Sequence, residues 1–300
     1  MSKKEHLKDS NKNDHRKGIK YLIGSGLAFS LMSICVKTIG EKIPVPELVF
    51  ARALISLIIT RLLLLKNNIN PWGYQKGLLL IRGLLGSIAL FCIFKSLTVL
   101  PIATATVIQY IYPTFTVICA YLILKEYIYK RIIFSIIIGW LGIILVTQPE
   151  WTKNSNINET IIVISIAILG ALMTSLAYIC VRKLSAKENA LVIIYYFPLV
   201  SIPLSLPFII NNFVLPTGTD WIWIIGIGFF TQIGQLCITE GLRLIPAGQA
   251  TSLNYSQVIF SSIGGIYLFQ EALTPEILLG GFCVLISTII SMNTIRSSQR

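Results

Sequence analysis

Residues 82–126 read RGLLGSIALFCIFKSLTVLPIATATVIQYIYPTFTVICAYLILKE, two long apolar runs joined at a proline and closed by a Lys-Glu pair. A shift of 145 residues carries the later part of this stretch onto 240–271, EGLRLIPAGQATSLNYSQVIFSSIGGIYLFQE. The shift pairs Leu97, Pro101, Ala105, Thr106, Tyr110, Phe115 and Glu126 with Leu242, Pro246, Ala250, Thr251, Tyr255, Phe260 and Glu271. It also pairs Ile34-Cys35-Val36-Lys37 with Ile179-Cys180-Val181-Arg182. Two separated regions with one offset indicate a chain of two related halves.

The composition places both halves in a membrane. Of the 300 residues, 54% are hydrophobic and 13% charged, against about 25% charged in soluble domains. Strands are excluded, because the runs lack the alternation of a barrel and an open sheet leaves backbone groups unsatisfied in lipid. Apolar runs long enough to cross a bilayer predict an all-α membrane protein with ten transmembrane helices, over 19–39, 47–65, 78–99, 103–124, 132–148, 160–181, 190–210, 221–240, 247–269 and 277–294.

The distribution of Lys and Arg predicts the orientation of these helices. With the N-terminus inside, 20 of the 25 Lys and Arg fall on the cytoplasmic side and three on the other side, while Arg52 and Lys95 lie within helices. Both termini are therefore expected in the cytoplasm. Five helices per half is an odd number, so the second half enters the membrane inverted. The prediction is a 5+5 bundle of two inverted five-helix repeats.

Other protein classes fit the residues poorly. The net charge of +12 is scattered, with seven cations in a basic tail, residues 1–18 and their immediate neighbours, that is expected to be disordered and cytoplasmic. No nucleic-acid surface is expected. The six cysteines occur singly, and both histidines, His6 and His15, lie in the tail. We therefore expect no metal site, no cofactor and no enzymatic activity.

These residues resemble the EamA group of the drug/metabolite transporter superfamily. The resemblance covers roughly 19–295 and is most specific in 82–126, which ends in Lys-Glu, and in 240–271, where Leu-Phe-Gln-Glu replaces the more usual Leu-Gly-Glu. It implies two five-helix repeats, here 19–148 and 160–295, with cytoplasmic termini. Lys95 stands where many members carry an aromatic or small residue, so the resemblance does not indicate a substrate.

Matching positions of the fourth and ninth helices predict a ligand pocket, because a site near the midplane should draw polar groups from both repeats. The alternative is that these groups join helices by hydrogen bonds. Ionisable residues within helices are further candidates, although Lys95 and Arg82 could reach the interfaces and Glu240 could pair with Arg243. The predicted substrate-binding residues are Tyr110, Tyr255, Gln109, Asn254, Thr106, Thr251, Tyr178, Gln232, Gln235, Arg52, Arg82, Lys95 and Glu240.

Three residues are candidates for gating. Glu126 and Glu271 end matching helices on opposite faces, either as gate contacts or as solvated helix ends. Pro113 removes a helix hydrogen bond, which either frees a carbonyl group toward a cavity or only bends the helix.

The predicted function is a secondary transporter, working by alternating access, in a plasma (inner) membrane. Its expected substrate is a small polar or amphipathic metabolite, an amino-acid-like compound or an organic anion. The sequence has no G-x-x-x-x-G-K-[ST] motif, so a gradient or exchange would supply the energy. The alternatives are a non-transporting receptor or scaffold and an intramembrane enzyme. Partners are the metabolite and membrane lipid, and the chain is either a monomer or a homodimer.

Overall fold

The computed structural model describes residues 3–125, 130–153, 157–210, 213–254, 256–270 and 274–297, and these residues form helices and connecting loops without a strand. The helices are α1 (Lys3–Ile39), α2 (Val45–Lys66), α3 (Lys76–Val99), α4 (Ile102–Gln109), α5 (Tyr112–Cys119), α6 (Lys130–Lys153), α7 (Ile157–Leu184), α8 (Ala190–Ile209), α9 (Asp220–Leu244), α10 (Ala247–Leu253), α11 (Ser256–Phe269) and α12 (Pro275–Ser297). A π-helical turn, Ala120–Leu124, continues α5.

Each of the ten predicted runs coincides with helical chain, but the described residues do not establish ten spans. Six helices are long and apolar enough to cross a membrane: Arg16–Ile39 of α1, α2, α3, Ile161–Leu184 of α7, α8 and α9. The other four runs contain the shorter apolar stretches Tyr112–Leu124, Ile133–Gly142, Ile259–Phe269 and Leu278–Ser287. Two of these are shortened because the fourth and ninth predicted helices are interrupted. Ten crossings stay a prediction.

The first helix includes most of the basic tail. Helix α1 begins at Lys3 and continues without interruption into the first apolar run. Residues 3–17 contain neither glycine nor proline. Nothing in the tail therefore breaks the helix that the apolar run propagates toward the N-terminus.

The packing of the helices is the same when the two halves are exchanged. Helix α1 packs against α9, and the equivalent pair α7 and α3 also packs together. Likewise α2 contacts α9 as α8 contacts α3, while α2 packs on its own equivalent α8 and α6 on α12. This is the contact pattern of two repeats related by two-fold symmetry.

The bundle is apolar outside and partly polar inside. Large side chains such as Leu122 and Ile222, each 67% exposed, cover the outer surface. Inside, Gln232 accepts from Ser56 at 2.6 Å and donates to Thr60 at 2.9 Å. Lipid solvates the outer surface, whereas polar groups within the bundle find partners on neighbouring helices.

Candidate binding cavity

Both repeats contain an interrupted helix at the same position. Helix α4 ends at Gln109 and α5 begins at Tyr112, while α10 ends at Leu253 and Asn254 is a turn residue. Gln109, the last residue of α4, corresponds to Asn254 under the 145-residue shift, so the two interruptions begin within one residue of each other. Pro113 lies in the first turn of α5 instead of inside a continuous helix, which corrects the prediction of an unbroken fourth helix. A proline is tolerated there because its missing N–H has no intrahelical acceptor to bond.

A cavity of about 70 Å³ lies beside these interruptions. Both repeats line it, with Phe29, Met32, Arg52, Arg82, Gly86, Ala89, Leu90, Ile93, Gln109, Tyr110 and Tyr112 from the first and Thr174, Ala177, Tyr178, Phe197, Gln235, Asn254 and Gln257 from the second. A water needs about 10–15 Å³ of such space. The cavity therefore has room for several waters.

Two arginines contribute positive charge to the cavity. Arg52 on α2 and Arg82 on α3 are each 2% exposed. Arg52 Nε donates to Thr231 Oγ1 at 2.9 Å, and Arg82 Nη2 donates to Gln235 Oε1 at 2.9 Å. Arg52 Nη1 and Arg82 Nε and Nη1 are buried without a hydrogen-bond partner among the described residues. Because a buried guanidinium is costly unless it is paired, these nitrogens are suited to an anionic ligand.

An aromatic ring stabilises both cations. The Cζ atom of Arg52 lies 4.8 Å from the centroid of the Phe197 ring, and that of Arg82 lies 5.0 Å from it. Arg52 Cζ also lies 5.9 Å from the Phe94 ring. The electron-rich face of a phenyl ring attracts a cation, so Phe197 offsets part of the cost of desolvating both guanidinium groups.

Tyrosines and amides supply the neutral part of the lining. The rings of Tyr110 and Tyr112 lie 5.3 Å apart, and those of Tyr112 and Tyr178 lie 5.5 Å apart in an edge-to-face arrangement. The Tyr110 hydroxyl donates to Gln257 Oε1 at 2.7 Å. Asn254 Oδ1 accepts from Ser25 Oγ at 3.0 Å. These contacts fix the side chains that would orient a ligand by hydrogen bonds and ring contacts.

The structure brings together one group of the predicted site residues and not another. Those that line the cavity are Arg52, Arg82, Gln109, Tyr110, Tyr178, Gln235 and Asn254. Those that lie elsewhere are Thr106, Thr251, Gln232, Lys95 and Glu240. The contacts of these five side chains explain why they lie away from the cavity.

Hydrogen bonds between and within helices account for two members of the second group. Thr251 donates to the carbonyl of Ala247 at 3.0 Å, and Gln232 links α9 to α2. Thr106 is buried, without a partner for its hydroxyl among the described residues. Lys95 is exposed on the surface of α3, and Glu240 lies 3.9 Å from Arg243 in an ion pair one helical turn apart.

Some predictions fall outside the described residues and some lining residues were not predicted. Tyr255, Glu126 and Glu271 lie outside the described ranges. Phe197 and Gly86 were missed, because an aromatic residue and a glycine within apolar runs carry no sign of a polar site. The repeat offers one signal for Phe197, since it is the residue that corresponds to Arg52 under the 145-residue shift.

A cavity with two buried arginines between two repeated bundles of apolar helices is an arrangement suited to a membrane transporter of small molecules. The chain belongs to the EamA-like transporter family, whose model matches residues 16–148 and 161–293. The two matched ranges are separated by the same 145 residues as the repeats. Family membership confirms the resemblance and the expectation of a transmembrane transporter that is not an enzyme.

Individual relatives agree with this assignment. The chain is 24% identical over 280 residues to the pseudopaline exporter CntI of Pseudomonas aeruginosa, covering 93% of this chain and 97% of that protein. It is 22% identical over 283 residues to the S-adenosylmethionine uptake transporter of Rickettsia prowazekii, covering 94% of each. A crystal structure at 16% identity covers 97% of this chain and 99% of its own, with a TM-score of 0.74, which shows the shared fold. One relative is named an exporter and the other an uptake transporter, so similarity does not fix the direction of transport.

Proposed function

We propose that the protein is a secondary transporter that moves a small polar metabolite with an anionic group across the plasma membrane by alternating access. The observation that carries this proposal is the pair of buried arginines at the cavity, each with guanidinium nitrogens that have no hydrogen-bond partner in the part of the chain that the structure describes. An organic anion or a zwitterionic amino-acid-like compound would supply the missing partner. Because the positive charge is held within the bundle, a ligand carboxylate or phosphate gains a charge-assisted hydrogen bond there.

Alternating access is supported by the symmetry of the packing. Exchanging the two halves reproduces the same helix contacts, and the interrupted helices meet the cavity at matching positions. In an inverted repeat, such an exchange converts an arrangement open to one side into its counterpart open to the other. In this proposal Glu126, Glu271 and Pro113 keep their predicted gating roles.

Substrate charge is the property to test. Reconstituted into proteoliposomes, the protein should transport carboxylates from a metabolite panel in preference to their matched amides. Arg52→Gln and Arg82→Gln should each reduce carboxylate uptake by about tenfold or more, because hydrogen bonds to charged groups contribute about 1.5–3 kcal/mol. Arg61→Gln is the matched control, since Arg61 lies exposed on the same helix as Arg52. Equal loss of acid and amide uptake in the arginine variants would assign Arg52 and Arg82 a structural role.

Orientation is tested separately. Both termini and the loop at 66–77 are proposed to face the cytoplasm, and the 149–159 connection the opposite side, as the distribution of Lys and Arg indicates. In a cysteine-free background, Lys153→Cys should react with an impermeant maleimide added to intact cells. Labelling of this position only after the membrane is permeabilised would contradict the inverted topology.

A further inference from the structure

The cavity contains two positive charges and its lining contains no carboxylate from the described residues. The buried acidic side chains of that part of the chain are bonded elsewhere. Glu47 accepts from the Val214 amide, Glu188 from the Tyr74 and Gln75 amides, and Asp220 from Thr217. None of these carboxylates bonds to Arg52 or Arg82. Among the described residues, the two charges of the site therefore have no carboxylate partner.

The two guanidinium groups are close enough to act on one molecule. Since Arg52 Cζ and Arg82 Cζ lie 4.8 Å and 5.0 Å from the centroid of one ring, the two Cζ atoms are at most 9.8 Å apart. Each bonds to one neutral side chain, and each keeps at least one buried nitrogen without a partner among the described residues. The two arginines bond to different side chains, Arg52 to Thr231 and Arg82 to Gln235.

We propose, on the basis of the anion transport proposed above, that the ligand carries two negative charges and that Arg52 and Arg82 each neutralise one of them. A singly charged ligand would pair with one guanidinium and leave the other buried and unpaired, and an uncompensated buried charge is strongly unfavourable. A doubly charged ligand removes both costs together. It also removes the repulsion between the two cations, which is weakly screened in a buried site.

Two classes of ligand carry two negative charges, dicarboxylates and phosphate monoesters. A dicarboxylate places its charges on separate groups that reach one arginine each, whereas a phosphate monoester places both on one group between the arginines. Neutral lining residues such as Tyr110, Tyr178 and Asn254 would contact the remainder of either molecule. The test therefore needs a matched pair of probes for each chemistry.

The affinity for each probe is measured from the shift in the melting temperature of the purified full chain, at constant ionic strength. The probes are succinate with its monoamide, and methyl phosphate with dimethyl phosphate. In at least one pair, the dianion should bind at least about tenfold more tightly than its monoanionic counterpart. Arg52→Gln and Arg82→Gln should each remove that preference, while binding of the monoanion changes much less. Arg61→Gln should preserve the wild-type preference.

The outcomes separate the two proposals. No preference for the dianion in either pair, or a preference that persists in both arginine variants, would overturn the two-charge inference. If the transport panel still shows carboxylates preferred over amides, the proposed function survives that result. Equal transport of acids and amides by the wild-type protein would overturn the proposed function itself.

Discussion

The two repeats share their geometry and differ in their chemistry at the place where α2 meets α8. Arg52 in the first repeat corresponds to Phe197 in the second. The two side chains contact each other, with Arg52 Cζ 4.8 Å from the centroid of the Phe197 ring. Their neighbours also correspond, because Arg52 bonds to Thr231 and the Phe197 ring lies against Gly86, and Gly86 is the equivalent of Thr231. Exchanging the halves therefore preserves the contacts but replaces a cation and hydroxyl with an aromatic ring and glycine.

This difference separates two requirements of a transporter. Conversion between two related states needs a scaffold whose halves can exchange roles. A ligand without two-fold symmetry needs a site whose two sides differ. Under the proposed function, the chain would meet both requirements by changing side chains at equivalent positions without changing which helices touch. The following predictions test how much function depends on that asymmetry.

The largest effect is expected when the asymmetry at position 52 is removed. Arg52→Phe makes the repeats alike there and removes one of the two cations. Anion uptake in proteoliposomes should fall by more than about tenfold, because loss of one partner from a charge-assisted contact costs about 1.5–3 kcal/mol. Combining Arg52→Phe with Phe197→Arg should restore part of the uptake, since the charge then projects from the equivalent position. Uptake by Arg52→Phe at the wild-type rate would show that asymmetry at this position is dispensable.

A smaller effect is expected on the other side of the same contact. A Cβ atom at Gly86 would lie 2.8 Å from two atoms of the Phe197 ring and 3.5 Å from Arg82 Nη1. Gly86→Ala must therefore displace the ring that contacts both guanidinium groups, and overpacking of this kind costs about 1–3 kcal/mol. We expect anion uptake to fall several-fold, with the helical content retained.

The matched control for Gly86→Ala lies on the same helix. A Cβ atom at Gly77 would meet nothing within 4 Å. Gly77→Ala should therefore leave uptake unchanged. If the two alanine variants behave alike, the position of the Phe197 ring is not what limits binding.

Tyr110 tests whether the interrupted helices contribute equally. Tyr110→Phe removes the hydroxyl that donates to Gln257 Oε1 at 2.7 Å and keeps the ring. Since one hydrogen bond contributes about 0.5–1.5 kcal/mol, uptake should fall about threefold to tenfold. Phenylalanine is preferable to alanine here, because Tyr110 is 1% exposed and its truncation would also open a cavity in the core.

The equivalent substitution Tyr255→Phe completes this experiment. Similar losses in uptake for the two variants would indicate that both halves of the cavity contact the ligand. If only Tyr110→Phe lowers uptake, the two repeats differ at the interrupted helices as well as on the arginine side of the cavity. Wild-type uptake by both variants would remove the two hydroxyls from the proposed site.

The comparison also shows what the sequence could and could not reveal. Repeated residues and hydropathy predict the family and the helical fold because bilayer crossing restricts the backbone to few solutions. They do not predict the interruptions, since Tyr110-Ile111 is itself apolar and hydropathy averages across it. Arg82 and Lys95 are both cations in one apolar helix, and hydropathy does not distinguish them. They are 13 residues apart, and a rotation of about 100° per residue places them on nearly opposite faces of that helix. Tertiary packing alone determines which of the two faces the cavity.

The smallest effect is expected at the loops that join the second and third helices of each repeat. Glu188, before α8, accepts from the Tyr74 and Gln75 amides at 2.6 Å each, which fixes the first-repeat loop. Glu47, on α2, accepts from the Val214 amide at 3.0 Å, which fixes the second-repeat loop. Each loop is thus held by a carboxylate of the opposite repeat. Among the described residues, Glu188 accepts two such hydrogen bonds and Glu47 accepts one.

Glutamine keeps the shape of either side chain and loses the charge that strengthens these bonds. Glu188→Gln should lower the free energy of unfolding by about 1 kcal/mol, and Glu47→Gln by less, because fewer charge-assisted bonds are weakened. Thermal melting in detergent measures both, with Glu41→Gln as an exposed acidic control. The two repeats would then differ in stability as well as in ligand chemistry, because the first-repeat loop would depend more strongly on the carboxylate that holds it. A larger loss for Glu47→Gln would reverse that order and show that the number of amides each carboxylate accepts from does not set the strength of its attachment.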